Sequence, residues 1–144
     1  MKIKNILLAS FAMASLTVSA QEEIIKESEL PTPAVTFLNA NFKNNTIRTV
    51  VKDTDKRKVT FEVTLTDGTE VEFTQKGDWK EVDGDKKPIP TAFIPKTILD
   101  YVKAKYSNEQ ITHIDKGLRD YDVDLTNGLD LEFDLKGKFL RIDK

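Results

Sequence analysis

Carboxylates are the residues of this chain that could do chemistry. Asp122, Asp124, Asp130, Glu132 and Asp134 fall at every second position on either side of Asn127-Gly128, and Glu62, Glu70 and Glu72 do the same around Asp67-Gly68. Spaced in this way, they leave one face of an extended hairpin together. Such an array is open to acid–base catalysis, to capture of a cation such as Ca²⁺, and to docking of a basic protein surface. Catalysis needs a carboxyl group desolvated in a pocket so that its pKa rises. An open sheet face supplies none, so no catalytic residue is expected. The plainest reading is a solvated face whose charges keep the sheet soluble and its edges unpaired. Like charges on adjacent strands repel, by up to about 1 kcal/mol per opposed pair, and Arg141 is a neighbouring cation that could answer them.

Two aromatics join the candidate surface. Trp79 and Phe139 directly follow the turns at Gly77 and Gly137, and their parity opposes that of Val82 and Ile142. Regular strands would bring both rings out beside the carboxylates, as a protein-binding surface requires. A β-bulge in each strand would turn them into the core instead. His113 is the only histidine and there is no cysteine, which excludes a thiol nucleophile, a disulfide, an acylated lipoprotein cysteine and a Cys-based metal site. A lone His assembles no metal centre. Asp53-Thr54-Asp55 and Asp83-Gly84-Asp85 do not continue into a calcium-loop pattern. No metal site and no cofactor are expected.

The elements that must position these residues are legible. Tyr121, Val123 and Leu125, then Leu129, Leu131, Phe133 and Leu135, alternate with the carboxylates, and Asn127-Gly128 predicts a two-residue type I′ turn between the strands. Phe61, Val63 and Leu65, Asp67-Gly68, then Val71 and Phe73 repeat the hairpin. Before each hairpin lies a helix. Thr32, as N-cap, and Pro33 open one that carries Val35, Leu38 and Phe42 on one face; Pro95 opens the other, carrying Ile98, Leu99, Tyr101, Val102 and Tyr106. The halves correspond position by position, Ile47 with Ile111, Gly68 with Gly128, Phe73 with Phe133, Gly77 with Gly137 and Trp79 with Phe139. The fold class is therefore α+β, a tandem repeat of a helix plus a four-stranded antiparallel meander over 30–84 and 89–144. A helix of three turns cannot cover such a sheet alone. The repeats should share one core, as an eight-stranded antiparallel sheet with both helices on one face.

The N-terminus reads as a signal peptide. Lys2 and Lys4 precede an uncharged, mostly apolar run from Ile6 to Leu16, and Val18-Ser19-Ala20 supplies small residues for cleavage after Ala20. The run is too short to span a bilayer, so the mature protein carries no membrane span and is expected in the periplasm or secreted. Residues 21–29 are polar apart from Ile24 and Ile25 and read as a flexible leader. The formal net charge of the chain is −2, and loss of Lys2 and Lys4 makes it more acidic. Nucleic acid is not an expected partner, since neutralising phosphates needs a clustered excess of Lys and Arg.

The segments Leu65-Thr66-Asp67-Gly68-Thr69-Glu70-Val71-Glu72-Phe73 with Gly77-Asp78-Trp79, and Leu125-Thr126-Asn127-Gly128-Leu129-Asp130-Leu131-Glu132-Phe133-Asp134 with Gly137 and Phe139, carry a resemblance. The pattern is similar to the PepSY-like, β-lactamase-inhibitor-like family of small exported proteins of Bacteroidetes, built from tandem helix-plus-four-strand units. The resemblance covers Leu30 to Asp143. It implies a fold like that of β-lactamase inhibitor proteins, whose concave sheet binds an enzyme. The reading that follows is a non-catalytic periplasmic module whose helix-free sheet face engages an envelope protein or peptide, with inhibition of an envelope enzyme as one form of it. Trp79, Phe139, Arg141, Glu62, Glu72, Asp122, Asp124, Asp130, Glu132 and Asp134 are its candidate residues. The alternative is a cation-binding or envelope-stress accessory protein whose acidic face holds Ca²⁺.

Overall fold

The computed structural model describes residues 20–143; the expected signal peptide lies outside them except for Ala20. Strand β1 (Gln21–Ile24) is followed by a short 3-10 turn and helix α1 (Thr32–Asn41). Strands β2 (Ile47–Asp55), β3 (Lys58–Leu65), β4 (Glu70–Thr74) and β5 (Trp79–Asp83) complete the first unit. Helix α2 (Lys96–Lys105) and strands β6 (Ile111–Lys116), β7 (Asp120–Leu125), β8 (Asp130–Asp134) and β9 (Phe139–Asp143) form the second. The strands make one antiparallel sheet in sequence order, β1 to β9.

Alternation decides which face is roofed. Phe61, Val63 and Leu65 of β3, Val71 and Phe73 of β4 and their counterparts Tyr121, Val123, Leu125, Leu131 and Phe133 are all buried, in one core with Ala34 and Leu38 of α1 and Ile98 and Val102 of α2. Both helices thus lie on the same side of the sheet. The ring packing is duplicated as well. Phe37 of α1 meets Phe73 edge-on at 5.7 Å, and Tyr101 of α2 meets Phe133 edge-on at 5.4 Å. The helices are placed by their prolines rather than by side-chain caps. Pro31 is the N-cap of α1 and Thr32 already its first residue, so Thr32 does not cap; Pro95 holds the same place in α2.

The repeat is exact enough to include its irregularities. The β2–β3 register shifts between Ile47 and Thr49 and the β6–β7 register between Ile111 and His113; the β4–β5 register shifts after Glu72 and the β8–β9 register after Glu132. The hairpin turns also match each other but are not type I′. The Leu65 N–H donates to the Thr69 carbonyl and the Gly68 N–H to the Leu65 carbonyl, and the same pair of bonds links Leu125, Leu129 and Gly128. These are three-residue loops that need positive φ only at the glycine, +90° at Gly68 and +81° at Gly128. The Asp67 and Asn127 carboxyl and amide oxygens accept the N–H two residues on, at 2.9 and 3.1 Å, the turn-forming bond these side chains favour. The inward run also stops one residue early. Leu135, expected inside, is 48% exposed at the β8–β9 turn.

Residues 21–29, expected to be flexible, contain a strand, and the repeat explains why. Val82 of β5 pairs with Ile114 of β6. Against the matching Val50 of β2, the Ile25 N–H donates to the carbonyl at 3.0 Å, while Ile24 pairs with Val51. Ile25 packs against the core. The N-terminal strand therefore takes beside the first unit the place that β5 takes beside the second, and it makes the sheet nine-stranded rather than eight.

Candidate functional site

The helix-free face of the sheet collects the carboxylates into two ladders that run across the strands. One passes through Glu62, Glu72, Glu81, Asp115, Asp122 and Glu132 to Arg141, each residue opposite the next on the neighbouring strand. The other passes through Glu70, Asp83, His113, Asp124 and Asp130 to Asp143. A cross-strand neighbour is about 5 Å away at Cβ, so like charges directly opposite destabilise the sheet.

Among the described residues, Lys80, Arg141 and His113 bring positive charge or a titratable ring to this array. Lys80 Nζ lies 3.1 Å from Glu72 Oε1, and Arg141 Nη2 lies 2.5 Å from Glu132 Oε2, beneath which the Glu132 side chain is 8% exposed. His113 sits between the ladders, with Nε2 2.8 Å from Glu81 Oε1 and Nδ1 3.5 Å from Asp124 Oδ2. Asp115 and Asp130 are poorly answered. The Oδ1 atoms of Asp115 and Asp130 are buried without a hydrogen-bond partner. Burial, then the neighbouring carboxylates, raise the pKa of Glu62, Asp122 and Asp130 above the ordinary carboxylate range. Among the described residues, no three His, Asp or Glu side chains come together in a way that could hold a metal ion. The ladders offer carboxylate pairs, not the six to eight oxygens of a preformed calcium shell.

Glu62, Glu72, Asp122, Asp124, Asp130, Glu132 and Arg141 are brought together as expected from their parity. Asp134 ends the face with a different task, because its Oδ1 accepts the N–H of Lys136 and of Lys138, both at 2.9 Å, and so closes the β8–β9 turn. Trp79 and Phe139 are not on this face. Trp79, not Lys80, pairs with Phe73, and Phe139, not Leu140, pairs with Phe133; the extra residue in each bulge reverses the parity and swings the ring under the helices. Trp79 packs against Phe37, Phe93 and Tyr121, and Phe139 stacks on Tyr101 at 4.6 Å. The same bulge puts Lys80 on the acidic side, within reach of Glu72. Glu81 and Asp115 belong to the face but were not singled out from the sequence, and His113, weighed there as a lone metal ligand, joins them on it. Their signal was present in the inward neighbours Val82 and Ile114, which set the parity of both short strands.

The hydrogen bond that the His113 ring donates to Glu81 raises the pKa of His113 against the opposing effect of burial, with Asp124 and Asp83 adding to the rise; the same bond lowers the pKa of Glu81. A raised histidine pKa contributes stability that is complete below the unfolded value, about 6.5, and is lost as pH rises through the folded value. His113→Gln should therefore cost more stability at about pH 6 than at about pH 9. Thermal melts across that range would read it, and parallel curves for the two proteins would remove His113 from the account.

The profile of the family described as "Putative beta-lactamase-inhibitor-like, PepSY-like" matches residues 59–141. No curated protein matches the chain. Solved structures from two Bacteroides species do. A protein of Bacteroides thetaiotaomicron, described as a "putative calcium-regulated periplasmic protein", is 32% identical with a TM-score of 0.82, over 85% of this chain and 97% of that one. Two periplasmic proteins of Bacteroides vulgatus, so described, are 31% and 30% identical with TM-scores of 0.82 and 0.81, over 86% of this chain and 98% and 100% of theirs.

Proposed function

From the premise that the chain belongs to the PepSY-like, β-lactamase-inhibitor-like family, we propose that it is a non-catalytic periplasmic module whose acidic sheet face docks a Lys- and Arg-bearing segment of an envelope protein or peptide. The periplasmic description of its relatives supports the compartment. The word inhibitor in the family description supports occlusion of an enzyme's basic surface as the form that docking takes.

One observation carries the reading: acidic residues oppose acidic residues without interruption from Glu62 through Glu72, Glu81, Asp115 and Asp122 to Glu132 in the first ladder. A face that served solubility alone would interleave Lys with Glu and gain cross-strand attraction in place of repulsion. Keeping the charges unmixed costs stability and favours association with the opposite sign. The array is spread along a sheet face, with Asp115 alone of its carboxylates also lining the cavity beside Trp79 and Lys80, which favours docking over catalysis in an enclosed pocket.

The test is a titration with an oligolysine peptide, comparing wild type with Asp122→Asn/Asp130→Asn. The variant should melt at a higher temperature, because it removes repulsion, and should bind the peptide at least about tenfold more weakly. Equal affinity for the two proteins would reject the face. The second reading, in which Ca²⁺ sits among the ladder carboxylates, is favoured by the raised pKa values of Asp122 and Asp130 and by the calcium-regulated description of one relative. Calorimetry separates the two. Heat and a melting shift with millimolar Ca²⁺, both abolished in the same variant, would favour the metal.

A further inference from the structure

The meander also builds a surface that the acidic composition conceals. Because strands alternate in direction, the β2–β3, β4–β5, β6–β7 and β8–β9 turns all emerge at one end of the sheet. Each is basic. Lys56-Arg57-Lys58 forms the first, Lys76 lies in the second, Lys116 and Arg119 bracket the third, and Lys136 and Lys138 make the fourth; all of these side chains are exposed. The β3–β4 and β7–β8 turns at the other end, 66–69 and 126–129, carry no Lys or Arg of their own, although Lys87 from the β5–α2 connection donates to the Asp67 carbonyl there. From the first to the fourth turn is six strand spacings, roughly 29 Å at about 4.8 Å each.

Two apolar side chains stand at the tips of this rim. Leu118 is 97% exposed between Lys116 and Arg119, and Leu135 is 48% exposed beside Lys136. Hairpin turns have no use for leucine. The rim is also where the N-terminal segment joins the fold, since Gln21 pairs with Thr54 at the β2–β3 end of the sheet.

We propose that this rim docks end-on to the anionic phospholipid surface of a membrane, with the Lys and Arg side chains among the headgroups and Leu118 and Leu135 entering the interface. Cations flanking exposed apolar tips are the pattern of interfacial binding. Standing the sheet on end leaves its acidic face free. The surface is therefore independent of the docking face proposed above.

The experiment uses the chain from Gln21, which carries all nine strands and both helices, in co-sedimentation with pure phosphatidylcholine vesicles and with mixed phosphatidylcholine–phosphatidylglycerol vesicles. Binding to the mixed vesicles alone is expected. Lys116→Gln/Arg119→Gln/Lys136→Gln/Lys138→Gln should lower it at least about tenfold, and Leu118→Ser/Leu135→Ser about tenfold. Melting temperatures should be unchanged, since every substituted side chain is exposed. Lys103→Gln/Lys105→Gln on α2 and Asp122→Asn/Asp130→Asn on the sheet should leave binding as it was, which separates this surface from the acidic face. Equal binding to both vesicles, binding to neither, rim variants that bind like wild type, or full competition by millimolar glycerol phosphate would each overturn the proposal.

Discussion

Replacing Phe133 by alanine should destabilise the protein by about 3–5 kcal/mol, the cost of a large aromatic lost from a core that cannot close over the gap. Phe133 is fully buried. It pairs with Tyr121 across β7 and β8, meets Tyr101 edge-on at 5.4 Å and touches Phe139 at 5.8 Å, so one truncation loosens the strand pair and its helix together. Phe73 holds the corresponding place under Phe37, and Phe73→Ala should cost a similar amount. With no disulfide in the chain and a stability of the order of 5–15 kcal/mol expected for a domain, either change endangers folding. Urea melts decide it. A loss below about 1 kcal/mol would mean that the site collapses onto the remaining rings, and the shared core is not the main source of stability.

Gly77→Ala should be nearly as damaging, at about 2–5 kcal/mol, from two effects acting together. Gly77 has φ +87°, and a Cβ built there would lie 2.8 Å from Pro31 Cβ and 3.0 Å from the Ala34 backbone nitrogen. The β4–β5 turn is thus pressed against the first turn of α1 with no room for a methyl group, and this contact sets where the helix sits on the sheet. Gly128 provides the control. Its φ is +81°, but a Cβ there meets nothing within 4 Å, so Gly128→Ala carries only the backbone strain, about 1–2 kcal/mol. The difference between the two variants in the same melts isolates the helix–turn contact. If they lose equally, the close approach carries no energy and the helix is held elsewhere.

How far the sequence could be followed depended on whether a feature was local. Period-two alternation is a property of single strands, so Phe61, Val63, Val71, Val123, Leu131 and Phe133 were legible as core, and the carboxylates between them as the opposite face. The duplication was legible because Gly68 and Gly128, or Phe73 and Phe133, recur in step. Bulges leave no such mark. Lys80 and Leu140 are ordinary strand residues, and only pairing with β4 and β8 shows that one residue too many sits in each strand and that Trp79 and Phe139 turn inward. The leader was misread for a related reason. Glu23-Ile24-Ile25-Lys26 is too short a signal alone, and it becomes a strand because β2 would otherwise present an unpaired edge beside a core that Ile25 can cover.

The amino-acid order by itself determined the roofed and open faces of each hairpin, because these follow from side-chain periodicity within one segment, and the α+β repeat, because its motifs recur in step; the family resemblance rests on those paired motifs. Only the tertiary structure decided that the carboxylates meet like against like across the strands, that His113 stands between Glu81 and Asp124, and that basic turns far apart in the chain line one rim. Those properties belong to register and strand direction, which are set between segments by hydrogen bonding and shared burial and are written in no single one of them.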